Sequence, residues 1–291
     1  MNGPGTPRRR SRIRAIGQAG GAVVGISLLG VLLSAASTRP AVGTRSAAST
    51  TPAAQLPPGN VGFDLQLGGS YAVPADAGVV ERDRTSVAPA GAYGVCYVNG
   101  FQTQDSEISW WRRRHPELLL KVKGREVRDP NWPETVLDVS TAARRKALAS
   151  IVGGWIDGCA RKGFRGVEFD NLDSWTRSRG RLTRSDSEAM GRLLVARAHR
   201  AGLAAGQKNA AELIRGAKRP LGFDFAVVEE CQQYAECGRY TRAYGDRVFE
   251  VEYDRARFKA ACAARGATLS VLLRDRDLVR EGEPGYVRES C

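Results

Sequence analysis

From about residue 60 onward, short apolar or β-branched runs recur along the chain, with helical patterns in several of the gaps between them. The runs are VGFDLQL (61–67), GVCYVNGF (94–101), TVLDVS (135–140), GVEFDN (166–171), GLAAGQKN (202–209), FDFAVVEE (223–230), RVFEVEY (247–253) and TLSVLLRD (268–275), and each predicts a strand. The clearest helix is predicted from about Thr141 to Lys162. There Leu148, Ile151, Val152, Trp155, Ile156 and Cys159 form one apolar stripe, and Gly163 stops the helix. A second helix is predicted to start near Ser185, whose spacing to Glu188 is that of a capping box. It carries Met190, Leu193, Leu194 and Ala198 and ends before Gly202. Strands alternating with amphipathic helices make parallel βα units, and this number of them predicts one α/β domain, a closed (β/α)8 TIM barrel over residues 60–291. A doubly wound open sheet is the alternative, but no Gly-rich phosphate loop follows the first run.

The first sixty residues do not share this pattern. Five arginines between Arg8 and Arg14 precede a charge-free stretch from Ala15 to Thr38 whose middle, AVVGISLLGVLLSAA, is apolar and ends in small residues. Residues 1–36 therefore read as a signal peptide or a signal anchor, and 37–59, rich in Ser, Thr, Ala and Pro, as a linker. The expected location is extracellular, with membrane attachment only if the leader stays uncleaved. Seven arginines precede the first acid, Asp64, so about +6 of the formal +13 charge belongs to the globular part. That remainder is spread as single arginines among acids, which is a solvated surface rather than a nucleic-acid groove, and no nucleic-acid-binding motif is present.

Six cysteines in an exported chain predict three disulfides. Cys231 and Cys237 can close a short loop, Cys262 and Cys291 can pin the chain end to the last helix, and Cys96 and Cys159 are left to join a strand to the helix stripe. Zinc fits poorly, because there is no CxxC pair and the only histidines are His115 and His199. His199 lies inside a predicted helix and no GxSxG elbow offers it a serine.

In a barrel the chemistry sits at the C-terminal ends of the strands. Charged and polar residues crowd there: Glu168, Asp170 and Asp173 after the fourth run, Lys208 and Asn209 after the fifth, Glu229 and Glu230 after the sixth, Glu250 and Glu252 in the seventh, Arg274 and Asp275 after the eighth. Alternation puts Glu168 and Asp170 on one face, opposite Val167 and Phe169. Carboxylates held together in a partly dry cleft cannot all ionise freely, and a protonated acid beside an ionised one is what cleaves glycosidic bonds. Glu168, Asp170 and Asp173 also make a possible divalent-cation set, so a metal-dependent hydrolase is one alternative and a non-catalytic carbohydrate-binding protein another. Trp110, Trp111, Trp132, Trp175 and Tyr234 are candidates to stack on sugar rings.

EFDNLD (168–173), GQKN (206–209), EECQQYAEC (229–237) and VEY (251–253), in this order and at barrel spacing, resemble glycoside hydrolase family 114, the endo-α-1,4-polygalactosaminidase-like TIM barrels. The resemblance covers nearly all of residues 60–291. It implies an extracellular hydrolase of α-1,4-linked galactosamine polymers that needs no cofactor, with Asp170 and Glu229 as the carboxylate pair. Glu168, Asn171, Asp173, Lys208, Asn209, Glu230, Glu252 and Tyr253 are the expected substrate-binding residues. The implied partner is a cationic amino-sugar polysaccharide, which an acidic cleft would attract.

Overall fold

The described residues of the computed structural model are 53–291, except 217, 218 and 220. The predicted leader, 1–36, and most of the predicted linker lie outside them. In chain order the strands are β1 (Gly62–Gln66), β2 (Ala77–Asp83), β3 (Tyr93–Asn99), the hairpin arms β4 (Lys121–Val122) and β5 (Arg125–Glu126), β6 (Gly166–Asp170), β7 (Ala204–Lys208), β8 (Phe225–Glu229), β9 (Val248–Glu252), β10 (Ser270–Arg274) and β11 (Arg288–Ser290). The helices are α1 (Ile108–Arg114), α2 (Ala142–Arg161), α3 (Arg184–Arg200), α4 (Cys237–Tyr244) and α5 (Arg255–Arg265). Strands β1, β2, β3, β6, β7, β8, β9 and β10 lie side by side in that order, all parallel, and β11 adds antiparallel to β10. This is the sheet of a TIM barrel.

One of its strands differs from the expected set. TVLDVS (135–140) is not in the barrel; it is extended chain that makes only isolated antiparallel bridges, Val136 to Gln102, Leu137 to Leu119 and Thr135 to Arg128. The place is taken by β2, whose run AGVVERD has four small or apolar residues and then ends in charge. Residues 67–76 and 84–92, which flank β2, contain no helix, although parallel neighbours ordinarily need a helical crossover. A polar network supports these loops instead: Arg82 donates to Gln66 Oε1 (2.8 Å) and to the Tyr71 carbonyl (2.7 Å), while Gln66 and Tyr71 donate to the Asp64 carboxylate (2.8 and 3.0 Å).

The two long helices obey their patterns. Thr141 caps α2, whose Leu148, Val152, Ile156 and Cys159 are buried. On α3 the capping box is Thr183 with Asp186, not Ser185 with Glu188, because the helix starts two residues earlier than its apolar stripe suggests; Leu193 points to solvent. Two apolar layers result. Inside the barrel lie Phe63, Leu65, Val79, Tyr93, Val95, Phe225, Val227, Phe249, Val251 and Leu272, and outside it the alternate residues of the same strands, such as Val98, Val167, Phe169 and Val228, pack under the helices. Gly206 is required by this filling, since a Cβ there would stand 2.5 Å from the Phe225 ring. Ahead of β1, within the stretch read as linker, Ala54 and Leu56 pack against the inner layer, and the Gln55 carbonyl accepts from the Tyr93 hydroxyl (2.7 Å), at the end of the barrel where the strands begin.

Disulfides join Cys96 of β3 to Cys159 of α2, Cys231 to Cys237 across the loop after β8, and Cys262 of α5 to Cys291. The last one holds β11 at the seam where β1 and β10 meet. Side chains span that seam: Ser270 Oγ donates to the Val61 carbonyl (2.5 Å), and the fully buried Arg274 donates to the carbonyls of Leu65, Val279 (2.9 Å) and Val287 (3.0 Å). Arg288 of β11 reaches Asp64 (3.1 Å) and Asp76 (3.0 Å). Removing one member of a buried charged set strands its partners, so Arg274→Met should lower stability by about 3 kcal/mol. Urea unfolding with the disulfides intact measures this; an unchanged midpoint would mean that β11 alone holds the seam.

Candidate active site

Three neighbouring strands end on a polar residue and then turn in the same way. β6 ends at Asp170 and is followed by Asn171 (φ 62°), β7 at Lys208 followed by Asn209 (φ 47°), and β8 at Glu229 followed by Glu230 (φ 56°). Left-handed backbone suits asparagine better than most residues and is costly for glutamate. At Glu230 it is held by a backbone bond to the Val251 carbonyl (2.8 Å) and by Arg276 on its carboxylate (2.5 Å). The turns leave Asp170, Lys208 and Glu229 together at the C-terminal mouth.

Lys208 is the hub. Its side chain is 2% exposed, and its Nζ stands 3.4 Å from Glu168 Oε1, 3.9 Å from Asp170 Oδ2 and 3.7 Å from Glu229 Oε1. Burial works against the ammonium charge, but Glu168, Glu229, Asp170 and Glu81 outweigh it and hold the amine protonated. Asp170 and Glu229, 22% and 25% exposed, are the two carboxylates of this group open to solvent. Each is fixed by a tyrosine: Tyr97 donates to Asp170 Oδ2 (2.9 Å) and Tyr253 to Glu229 Oε1. Asn209 exchanges two bonds with Glu229, donating to Oε2 and accepting from its backbone nitrogen, both at 2.8 Å.

These surroundings move the two carboxyls in opposite directions. For Asp170, burial raises the pKa and Glu229 adds to the rise, against the pull of Lys208. For Glu229, burial also acts upward, but Lys208, Tyr253 and Asn209 together bring it below the ordinary value. Two carboxyls with different proton affinities, bridged by one cation, can divide the work of a general acid and a carboxylate.

Beneath them lies a second pair, of which the sequence pointed only to Glu168. Glu81 of β2 and Glu168 of β6 are both fully buried, none of their four carboxyl oxygens meets a hydrogen-bond partner among the described residues, and the Lys208 Nζ stands 3.4 Å from Glu168 Oε1. Burial raises both, and the charge of Glu81 raises Glu168 further, so the pair retains a proton. Glu81 was overlooked because its strand was.

A second overlooked acid, Glu134, precedes TVLDVS. Counted as a barrel strand, that run would have put Glu134 at the far face; as loop it brings the residue to the mouth. Its Oε2 accepts from Asn99 (3.0 Å) and Asn171 (3.2 Å), and its pKa is pushed up to about 7 by burial and then by Asp170.

The other expected residues divide. Tyr253, Asn209 and Asn171 belong to the site through the bonds above. Asp173 is engaged instead by Arg177 in a two-pronged pair (2.8 Å each), so Glu168, Asp170 and Asp173 do not converge as a cation site; Lys208 occupies the centre of the first two. Glu252 and Glu250 alternate with the inner-layer Val251 and so face the outer layer, where Glu252 accepts from the Gln232 nitrogen (2.9 Å) and Glu250 pairs with Arg265 (2.7 Å). Glu230, with Arg276 over the Tyr253 ring, stands at the rim. His199 pairs with Asp224, just ahead of β8 and away from the mouth (2.7 Å). Of the aromatics, Trp111 is core and Trp175 packs against it, whereas Trp132 and Tyr234 are 60% and 63% exposed.

The architecture and this cluster define a barrel hydrolase with paired carboxylates at the strand ends. Residues 43–291 match the model of glycoside-hydrolase family GH114, and the chain belongs to that family of glycosidases. Solved structures resemble it as well. Aspergillus fumigatus Ega3 in complex with galactosamine aligns with a TM-score of 0.61 at 24% identity over 86% of this chain and 100% of that one. The glycoside hydrolase domain of PelA from Pseudomonas aeruginosa aligns with a TM-score of 0.53 at 16% identity over 76% and 97%. At these identities the likeness is one of fold. No protein of curated function matches the sequence.

The buried pair has a consequence for stability. A carboxyl whose pKa is higher in the fold than in the unfolded chain costs nothing below its ordinary value, 4.5 for Glu81, and costs more as pH rises above it, because the unfolded chain then releases a proton that the fold retains. Glu81→Gln removes this cost. Its melting temperature relative to wild type should be level near about pH 4 and climb steadily toward about pH 8. A difference that shrinks with rising pH would mean that Glu81 is ionised and favourably paired.

Proposed function

We propose that this glycosidase is secreted and cleaves α-1,4-linked galactosamine-type polysaccharide, with Asp170 and Glu229 as its carboxylate pair. The observation that carries the reading is their placement: both are partly open at the barrel mouth, both lie within 4 Å of the Lys208 ammonium, and their pKa values are driven apart. Hydrolysis at a sugar carbon needs one carboxyl to protonate the departing glycosidic oxygen and one carboxylate to attack the carbon, or to activate water, as the positive charge develops. Lys208 and the two tyrosines hold the pair in position before substrate arrives, which is where most of the catalytic advantage of such sites lies. The galactosamine bound in the Ega3 structure supports the substrate class, as does the excess of acids at the mouth, since an unacetylated amine polymer is cationic. Secretion is supported by the three disulfides and by the basic, then apolar, start of the chain.

Incubation with a panel of α-linked amino-sugar polymers, with products read by mass, tests the substrate. Asp170→Asn and Glu229→Gln should each lower the rate by about 10²- to 10⁴-fold or more while leaving the melting temperature nearly unchanged. Glu252→Gln, which faces the outer layer, should retain activity. Near-full activity in Asp170→Asn would overturn the assignment of the pair.

A further inference from the structure

The loop that carries Glu134 is built more firmly than a rim loop needs to be. The Asp129 nitrogen donates to the Glu134 carbonyl (2.9 Å), and Asp129 Oδ1 accepts from the backbone nitrogens of Asn131 (2.8 Å) and Trp132 (3.2 Å), which closes residues 129–134 into a tight turn. The other oxygen of Asp129 is held by Gln102 (3.1 Å) and Arg177 (2.6 Å). Asn99 at the end of β3 and Asn171 after β6 then fix Glu134 itself through Oε2. Among the described residues nothing donates to Oε1, and that atom is not sealed from solvent. Beside it in the chain, Trp132 exposes an aromatic face.

Placing this carboxyl next to Asp170 costs free energy, since like charges at close range raise one another. Structure alone does not call for it: a glutamine would accept from Asn99 and Asn171 equally well and would not repel Asp170. An acid with one anchored oxygen and one open oxygen, beside a catalytic carboxylate and an exposed indole, is suited to a ligand that brings its own positive charge. We propose that Glu134 is a specificity-determining residue that receives a sugar ammonium group through Oε1, so that the enzyme prefers unacetylated amino sugars to their N-acetylated or neutral counterparts. The arriving ammonium offsets the repulsion from Asp170 and keeps Glu134 ionised. An acetamido group carries no charge to do this and is bulkier. The inference rests on the amino-polysaccharide reading above and adds to it the residue that selects the amine.

The test compares α-1,4-galactosamine oligosaccharides with the same oligosaccharides after chemical N-acetylation, as substrates for wild type and as competing ligands where the acetylated form is not cleaved. Glu134→Gln should raise KM for the amine form by about tenfold, with a smaller change in kcat, and should leave the KM or inhibition constant of the acetylated form within about twofold. Glu134→Ala, which also gives up the two asparagine contacts, should show the same substrate dependence if the loop holds its shape. Equal losses for both forms would mean that Glu134 only supports the loop, and no loss for either would mean that it does not meet the substrate; both outcomes overturn the proposal. If wild type neither cleaves nor binds the amine oligosaccharides, the amino-polysaccharide reading itself fails, which is a different result from an indifferent Glu134.

Discussion

A single buried ammonium group orders the active end of this barrel. Lys208 stands on β7, between the strands that carry Glu168 and Asp170 on one side and Glu229 on the other, and among the described residues it is the one cation close to all three. Burying any of these carboxylates unpaired would cost several kcal/mol, and burying the ammonium alone would do the same. Together with Glu81 they outnumber the positive charge. The excess is met by protons in the dry layer and by hydroxyl and amide donors at the mouth, so that the deep pair retains a proton while Glu229 is held below its usual range. The chemistry of the mouth thus depends on the depth at which each acid sits.

That arrangement needs a backbone that does not drift. The three left-handed turns after Asp170, Lys208 and Glu229 set the heights of the side chains, and the ring of Phe225 packed against Gly206 fills the barrel at the level below Lys208. On the opposite side of the sheet, β1 and β2 lack helical crossovers and depend on Arg82, Gln66, Tyr71 and Asp64. The seam is spanned by Arg274 and β11, with Cys291 bonded to α5. Stability in this region is carried by charged groups whose partners are all within the fold, which makes it sensitive to single substitutions.

The segment between β3 and α2 gives the site its individual character. It holds a short helix, a small hairpin and the bridged stretch around TVLDVS, and it covers one flank of the mouth with Glu134 and Trp132. Its anchors, Asn99, Gln102, Asn171 and Arg177, come from or next to β3 and β6, the two strands nearest Asp170. A loop tied to the strands that carry the catalytic carboxyl can shape substrate choice without disturbing the barrel.

The sequence by itself determined the barrel class, the two long helices, and the strand ends that carry Asp170, Lys208 and Glu229, because each of these is a local pattern: a period, a stop residue, or an acid at the end of an apolar run. The even set of cysteines likewise allowed the three bonds found between Cys96 and Cys159, Cys231 and Cys237, and Cys262 and Cys291. What only the tertiary structure decided is which runs enter the sheet and what each acid faces. TVLDVS has the stronger strand pattern, yet AGVVERD takes the second place, since only it has two parallel neighbours to bond with. That exchange moved Glu81 beneath Lys208 and Glu134 to the mouth. Asp173 and Glu252 carry the same charge as Asp170, but Arg177 engages one and strand alternation turns the other outward. An acid's role follows from its burial and its partners, and both are set by chain segments far from it in sequence.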